Sequence, residues 1–582
     1  MFESAVTLIT ATPRDCLLVG RNWITNAIEL QDFKEATRAY SHTMNALYRL
    51  LSTNPTLVSQ YQLINFRSLK CANFLSQTFA SDATHIAIKA GDPKRAVELL
   101  EQGRGLLWSR LNHYQYPLDR LRDVEPILAK KYEELSKRLE NLAISPVSLE
   151  LRRATDKMME ELHVASKEWD EVVEQIRKLD GFSDFLKPLR YDSLRKAATD
   201  GPVIIINVSN HHRCSEAIII HNQDDPVVIS LPDASSHQIY KYWESLEVCI
   251  CALRCKRYGP RGDSLDDSDN SYCLVSSNSE ERKEYERAVL KYVLRSLWKS
   301  IVQPVVKKLQ ELSIQPGSRI WWCPTSIACE LPLHAAGPYK EGEHNLYDLY
   351  ISSYLRYLSS SHHVRQATNL IPEGKHATSP TQLLVISCPG ELGERGYLHH
   401  VEREVEEIRR CFSFIDTSSV PKVLDGPQAN LDSVIAHLPQ YPWVHFSCHG
   451  NQHPEPFRSS FEVYGREKVT LLHLMQARNP DAELAFLSAC NTATGNTFGT
   501  PDEVIHLVST LQFVGFKSVV GTLWAMCDAD APDLARDFYG YLLGEGKADY
   551  RMSAVALHEA MKRMRERGVP LEQWVNFVHF GA

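Results

Sequence analysis

Residues 441–450 read Tyr-Pro-Trp-Val-His-Phe-Ser-Cys-His-Gly, and residues 484–495 read Leu-Ala-Phe-Leu-Ser-Ala-Cys-Asn-Thr-Ala-Thr-Gly. Both stretches follow one pattern. A short apolar run reads as a buried parallel strand, and a reactive side chain follows where the run ends. The first delivers His449, followed by Gly450. The second delivers Cys490, followed by a small polar loop to Gly495. In open α/β sheets, chemistry gathers at the carboxyl ends of strands. A His and a Cys on two such ends form the minimal pair of thiol nucleophile and base. Cys448 and His445 lie inside the first run and read as a small core thiol and a satisfied polar group.

Order and spacing add to this. His449 comes first, and Cys490 follows 41 residues later (490 − 449). Caspase-type proteases place the base upstream by a similar distance, whereas papain-type enzymes put the cysteine first. The blocks His-Phe-Ser-Cys-His-Gly and Leu-Ser-Ala-Cys-Asn-Thr-Ala-Thr-Gly resemble those of CHAT-domain proteins, caspase-like domains that usually follow TPR helices and are related to separase. Further matching blocks are Asp502-Glu-Val-Ile-His-Leu507, Ser518-Val-Val-Gly-Thr-Leu-Trp524, Asp528 and Trp574-Val-Asn-Phe577. The resemblance is nearest to fungal members. It is specific over about 380–582, weaker over about 186–370 and generic in the helical N-terminus.

The resemblance implies a cysteine endopeptidase with a caspase-like α/β fold. It implies His449 as base and Cys490 as nucleophile, with the backbone N–H groups of Gly450 and Cys490 as oxyanion donors. It implies a backbone carbonyl as the group that orients the imidazole. Asp528 stands at the family's acidic position after Thr-Leu-Trp, where it either lines the S1 pocket or caps the helix starting near 530. Asn491 stands where Gln or Arg often appears in relatives and is a candidate substrate contact. Relatives of the fold prefer acidic or basic P1 residues, so this preference stays open.

Composition sets the outer bounds. The chain has 582 residues, 43% hydrophobic and 23% charged, with net charge −8. These are ordinary values for globular protein. No basic stretch favours nucleic acid. No apolar run reaches membrane-spanning length, so no membrane partner is expected. The N-terminal Met-Phe-Glu-Ser-Ala-Val lacks a signal-peptide pattern. The 14 cysteines lack framework spacing, which predicts reduced thiols and a cytoplasmic location. Cys249, Cys251 and Cys255 read as one helix face rather than a zinc site. No metal and no cofactor is expected.

Along the chain, residues 1–185 read as a helical, TPR-like domain. Phe33, Ala36, Tyr40, Met44, Leu47 and Leu51 recur at helical spacing. Gly91-Asp92-Pro93 is a turn and helix start. A TPR array and a generic bundle remain equal alternatives. Residues 120–143 and 148–182 are predicted as two long helices forming an antiparallel hairpin, broken at Ile144-Ser145-Pro146. Residues 186–370 read as a degenerate caspase-like half, with strands near 203–208, 217–221, 227–230 and 320–323 and helices near 236–254 and 280–312. His334 in this half is read as structural. Residues 257–283 read as a flexible insertion, whose Arg261-Gly262-Asp263 is discounted as an integrin motif. A linker covers 371–380. Residues 371–582 are the active half, with helices at 400–413, 428–437, 501–514 and 530–543 between the strands of a parallel sheet.

These features lead to a cytoplasmic caspase-like endopeptidase acting on a protein or peptide substrate and regulated by a protein partner at its helical N-terminal domain. The alternative is a catalytically silent scaffold of the same fold. A hydrolase or acyltransferase using the same dyad is a third class.

Overall fold

The computed structural model describes Glu3, Val6 and residues 12–52, 54, 56–65, 78–144, 152–221, 224–258, 280–360, 382–394, 396–414, 420–494, 505–544 and 548–581. Most of the 257–283 insertion and all of the 371–380 linker lie outside these residues. So do Gly495, Asp502, Glu503 and Val504. The chain forms two compact units, Met1–Leu194 and Arg195–Ala582.

The first unit is helical. Helix Pro13–Glu29 packs on Phe33–Ser52, and Phe79–Lys89 packs on Pro93–Gly103. The two pairs share their turn chemistry. Gln31 (φ 57°) and Gly91 (φ 80°) each adopt a left-handed conformation. Asp32 then accepts the Glu35 N–H (3.0 Å), and Asp92 accepts the Arg95 N–H (2.9 Å). A turn residue followed by a capping aspartate thus starts both second helices. Only the second of these turns stood out in the sequence, because it carries Gly and Pro where the first carries Gln and Phe.

The predicted long helix over 120–143 divides into Asp119–Val124 and Pro126–Ile144. Proline disfavours helical geometry in the residue before it, and Glu125 sits at φ −144°, ψ 79°. Arg152–Arg177 packs antiparallel to Pro126–Ile144 as a hairpin. Tyr132, Leu135, Val172, Val173 and Ile176 form the seam, closed by Phe182 and Phe185.

The second unit is built on one sheet of 11 strands. In chain order these are β1 Val203–Ser209, β2 Cys214–Ile220, β3 Val227–Ser230, β4 Arg319–Pro324, β5 Ile351–Tyr354, β6 Leu383–Ser387, β7 Lys422–Asp425, β8 Trp443–Ser447, β12 Leu484–Ser488, β13 Ser518–Thr522 and β14 Phe577–Gly581. A separate small sheet contains β9 His449–Asn451, β10 Ser460–Glu462 and β11 Lys468–Thr470. The large sheet runs β3-β2-β1-β4-β5-β14-β13-β12-β8-β6-β7. Its edge strands β3 and β7 are partly exposed, whereas β8, β12 and β13 are buried throughout. Continuous apolar runs such as Val203-Ile-Ile-Ile are therefore what a sheet covered on both faces requires.

The sheet is mostly parallel, not wholly so. β1 with β2, β2 with β3, and β13 with β14 are antiparallel. β14 lies between β5 and β13 and joins the strands of residues 203–354 to those of 383–522. Trp321 donates its indole N–H to the Gly581 carbonyl (3.0 Å) across this seam. The expected α/β class preceded by helices is thus what the chain adopts, with β14, parallel to β5 and antiparallel to β13, at the joint.

Helix Glu280–Leu297 passes through a π turn at Trp298–Val302 into Gln303–Glu311. The expected 501–514 helix is Leu507–Val514 among the described residues. His506 starts it by accepting the Ser509 N–H (3.0 Å).

Candidate active site

The two central strands that end the site run level. β8 and β12 are parallel neighbours, and their last paired residues are Ser447 and Ser488. His449 and Cys490 each lie two residues beyond that pair. Neighbouring strands sit about 4.8 Å apart, so the two backbones emerge side by side. Gly450 shows how close they come. A Cβ at this position would lie 2.3 Å from the Cys490 carbonyl oxygen and 3.3 Å from its nitrogen. Only a residue without a side chain permits that approach.

Cys490 is 5% exposed. The chain after it is tied to the end of β13. Asn491, in a left-handed conformation (φ 54°), donates its N–H to the Trp524 carbonyl (3.4 Å). The Ala493 N–H reaches the Thr522 carbonyl (2.9 Å). Thr522 donates its N–H to the Thr492 hydroxyl (2.8 Å) and its own hydroxyl to the Ala489 carbonyl (2.6 Å). Asn576 then fixes the next turn. Its carbonyl oxygen accepts the Trp524 N–H (2.7 Å), and its amide donates to the Trp524 carbonyl (3.1 Å). The blocks around Cys490, Trp524 and Trp574 are thus one hydrogen-bonded assembly.

Below the strand ends lies a buried polar network. His445 has Nε2 3.1 Å from Glu404 Oε1 and Nδ1 3.0 Å from the Tyr539 hydroxyl. The Ser447 hydroxyl donates to the other Glu404 oxygen. His445 is therefore a satisfied core group. Cys448 is buried, and burial pushes its thiol well above the ordinary range. Such a thiol is a poor nucleophile at neutral pH. His334 is also internal. Its Nε2 faces the Val575 carbonyl (3.0 Å), which only accepts, so this nitrogen carries the proton. Nδ1 then accepts from the Tyr354 hydroxyl (3.0 Å). Burial lowers its pKa to about 4 and keeps it neutral. These partners give His334 a structural position.

Asp528 lies in a short turn before helix Ala531–Leu542. Its carboxylate accepts the His400 N–H (3.1 Å), at the start of helix Val401–Ser413. The helix it meets is thus a neighbour's rather than the one that follows it.

His449 opens onto a cleft of about 360 Å³. The cleft also holds Gly390, Glu391 and Glu394 from the loop after β6, Glu462 from β10, and Tyr464 and Arg466 from the following turn. Arg466 pairs with Glu394. None of these carboxylates stood out in the sequence. The small sheet that brings Glu462 here is made of three-residue strands, too short for an alternating pattern to register. Among the described residues, no group of three or more His, Cys, Asp or Glu side chains converges as a metal site. Cys249 is buried with its thiol pushed up to about 12, and the Cys251 and Cys255 side chains lie outside the description.

Among solved structures, the chain is similar to separase in Saccharomyces cerevisiae separase–securin complexes. One match has 10% identity and a TM-score of 0.43, covering 100% of this chain and 53% of the other. A second has 11% identity and a TM-score of 0.42, covering 98% and 47%. The chain thus spans about half the length of those separase chains. The Porphyromonas gingivalis RgpB pro- and mature-domain complex matches at 9% identity and a TM-score of 0.33, covering 60% of this chain and 76% of the other. No curated protein matches by sequence. The CHAT domain family model matches residues 291–582, half of the sequence and the part that carries β4–β14, His449 and Cys490. The chain belongs to the CHAT-domain family.

Proposed function

We propose that the chain is a caspase-like cysteine endopeptidase with a His449/Cys490 dyad, regulated by a protein partner at its helical N-terminal domain. The observation that carries this reading is the level placement of His449 and Cys490 at adjacent central strand ends, with Gly450 packed on the Cys490 backbone. In the proposed reaction, His449 removes the Cys490 thiol proton and the thiolate attacks the scissile carbonyl carbon. The N–H groups of Gly450 and Cys490 receive the developing oxyanion. The imidazolium returns its proton to the leaving amine, and water then hydrolyses the thioester with His449 as base.

Asn491 is the proposed substrate contact from the Cys490 loop. Asp528 keeps two roles, an S1 wall or a helix-terminal acceptor. Residues 1–185, 186–370 and 371–582 serve as the helical domain, the degenerate half and the active half. The ten described cysteines are free thiols, which supports a reducing, cytoplasmic setting. No described helix is long and apolar enough to cross a membrane.

Burial of Cys490 favours a second reading, a silent scaffold. A thiol-reactive peptidyl probe separates the two. Labelling at Cys490 that is lost in His449→Ala supports the peptidase. Absence of labelling under conditions that label a cysteine-peptidase control supports the scaffold.

A further inference from the structure

β9 and β10 are antiparallel partners, with His449 opposite Glu462 and Gly450 opposite Phe461. Paired residues send their side chains to one face, with Cβ atoms about 5 Å apart. Phe461 stacks on Phe446 at 4.2 Å between centroids, so its face is the core face. Alternation puts His449 and Glu462 on the opposite face, and both line the cleft. Asn451, two residues along β9 and so on the same face, sets its amide Nδ2 3.5 Å from Glu462 Oε2.

We propose that Glu462 is the positioning carboxylate of His449. The proposal rests on the dyad reading above and names a carboxylate third member for it. A carboxylate beside the imidazole fixes which ring nitrogen carries the proton and leaves the other free for the Cys490 thiol. It also stabilises the imidazolium formed when the S–H bond breaks and the N–H bond forms. The family resemblance implied a backbone carbonyl in this role.

The other groups facing the cleft do not fill this role. Glu394 is paired with Arg466. Glu391 is exposed on the loop after β6. The Cys388 thiol is pushed up to about 12 by burial and stays neutral. Tyr397 and Tyr464 bring phenol side chains rather than carboxylates. Glu462 alone among these carboxylates is set opposite His449 by strand register.

The test follows the His449 titration by NMR in the full chain with carbon-13-labelled histidine, using His449→Asn to assign the signal. Glu462→Gln is expected to lower the His449 midpoint by about one pH unit. It is also expected to lower kcat for a fluorogenic peptide at least tenfold with little change in KM. Glu462→Asp, which keeps the charge, should restore part of both. An unmoved midpoint in Glu462→Gln would overturn the proposal even if activity fell. If Glu462→Gln does not fold, Asn451→Ala loosens the same carboxylate, and the midpoint must move in the same direction or the proposal fails. The titration needs no activity. Full turnover by Cys490→Ala would therefore retire the dyad separately, whereas an unmoved midpoint with an intact dyad would retire Glu462 alone.

Discussion

A single methyl group at Gly450 would meet the Cys490 carbonyl oxygen at 2.3 Å, a backbone atom rather than a flexible side chain that could yield. Gly450→Ala is therefore expected to lower peptide turnover at least a hundredfold, because an ångström of misplacement costs about that much. Wild-type turnover by the folded variant would disprove the close approach. The two thiols nearby separate by environment. Cys490→Ala is expected to abolish cleavage with its fold retained, and adding His449→Ala should cost little more, because the pair acts as a unit. Cys448→Ala should keep most activity, since its thiol is buried and held protonated. Cleavage by purified Cys490→Ala, or its loss in folded Cys448→Ala, would show that the wrong thiol was chosen. At Asp528 the carboxylate already holds the His400 N–H. Asp528→Asn should cost about 1 kcal/mol or less through the lost charge at a helix start. Its cleavage-site profile should stay as in the wild type. A changed P1 preference at unchanged melting temperature would instead assign Asp528 to S1.

At the scale of elements, the site depends on how neighbouring segments lock together. Asn576 is fully buried and bonds both backbone groups of Trp524, whose carbonyl also accepts the Asn491 N–H. Asn576→Ala leaves a buried N–H and a buried carbonyl short of a partner, each worth about 1–3 kcal/mol. A fall of several degrees in melting temperature is expected, with a drop in kcat larger than residual unfolding explains. An unchanged kcat at assay temperature would show that the Cys490 loop does not depend on this clamp. β8 and β12, which end just before His449 and Cys490, were legible because buried parallel strands read as short apolar runs. Glu462 was not legible. It sits in a polar stretch whose only message is register, and register exists only once β9 and β10 pair. β5, with Ser352-Ser353 inside it, and β14 were missed for a related reason. The serines interrupt the apolar run of β5, and the partners of β14, β5 and β13, lie far away in sequence. Asn576 stood inside a recognised block, yet its role appears only where β14 meets the turn after β13. Position along the chain thus gave the candidate reacting residues, whereas long-range pairing gave the groups proposed to hold them.

For the molecule as a whole, buried neutral histidines tie stability to acid. Burial lowers His334 to about 4 and His506 to about 3, from an ordinary value near 6.5. Below pH 6.5 the unfolded chain takes up protons that the folded chain refuses, so stability falls as pH drops toward those values. Each histidine contributes about 1.4 kcal/mol of loss per pH unit once well below 6.5. Melting temperature should decline between pH 6.5 and 4, and His334→Gln should flatten part of that slope. Equal slopes in the two proteins would remove His334 from the account. Regulation is the larger question at this scale. The proposed chemistry lies wholly within Arg195–Ala582, while Met1–Leu194 forms a unit of its own. Helical units of paired helices present extended surfaces suited to protein partners. Cys490 is 5% exposed, so under the gating proposal a shift of the surrounding segments opens the way to its sulfur. A partner drives that movement only if it binds the open arrangement more tightly than the closed one. Shifting the ratio from 1:99 to 99:1 takes about 5.5 kcal/mol of differential binding. The chain purified alone should therefore turn over a small fluorogenic peptide slowly, and a regulatory partner should raise kcat for that peptide. If the helices only tether substrate, the partner would speed cleavage of the protein substrate and leave the small peptide unchanged. Full peptide turnover by the partner-free chain would end the gating proposal while leaving the dyad intact.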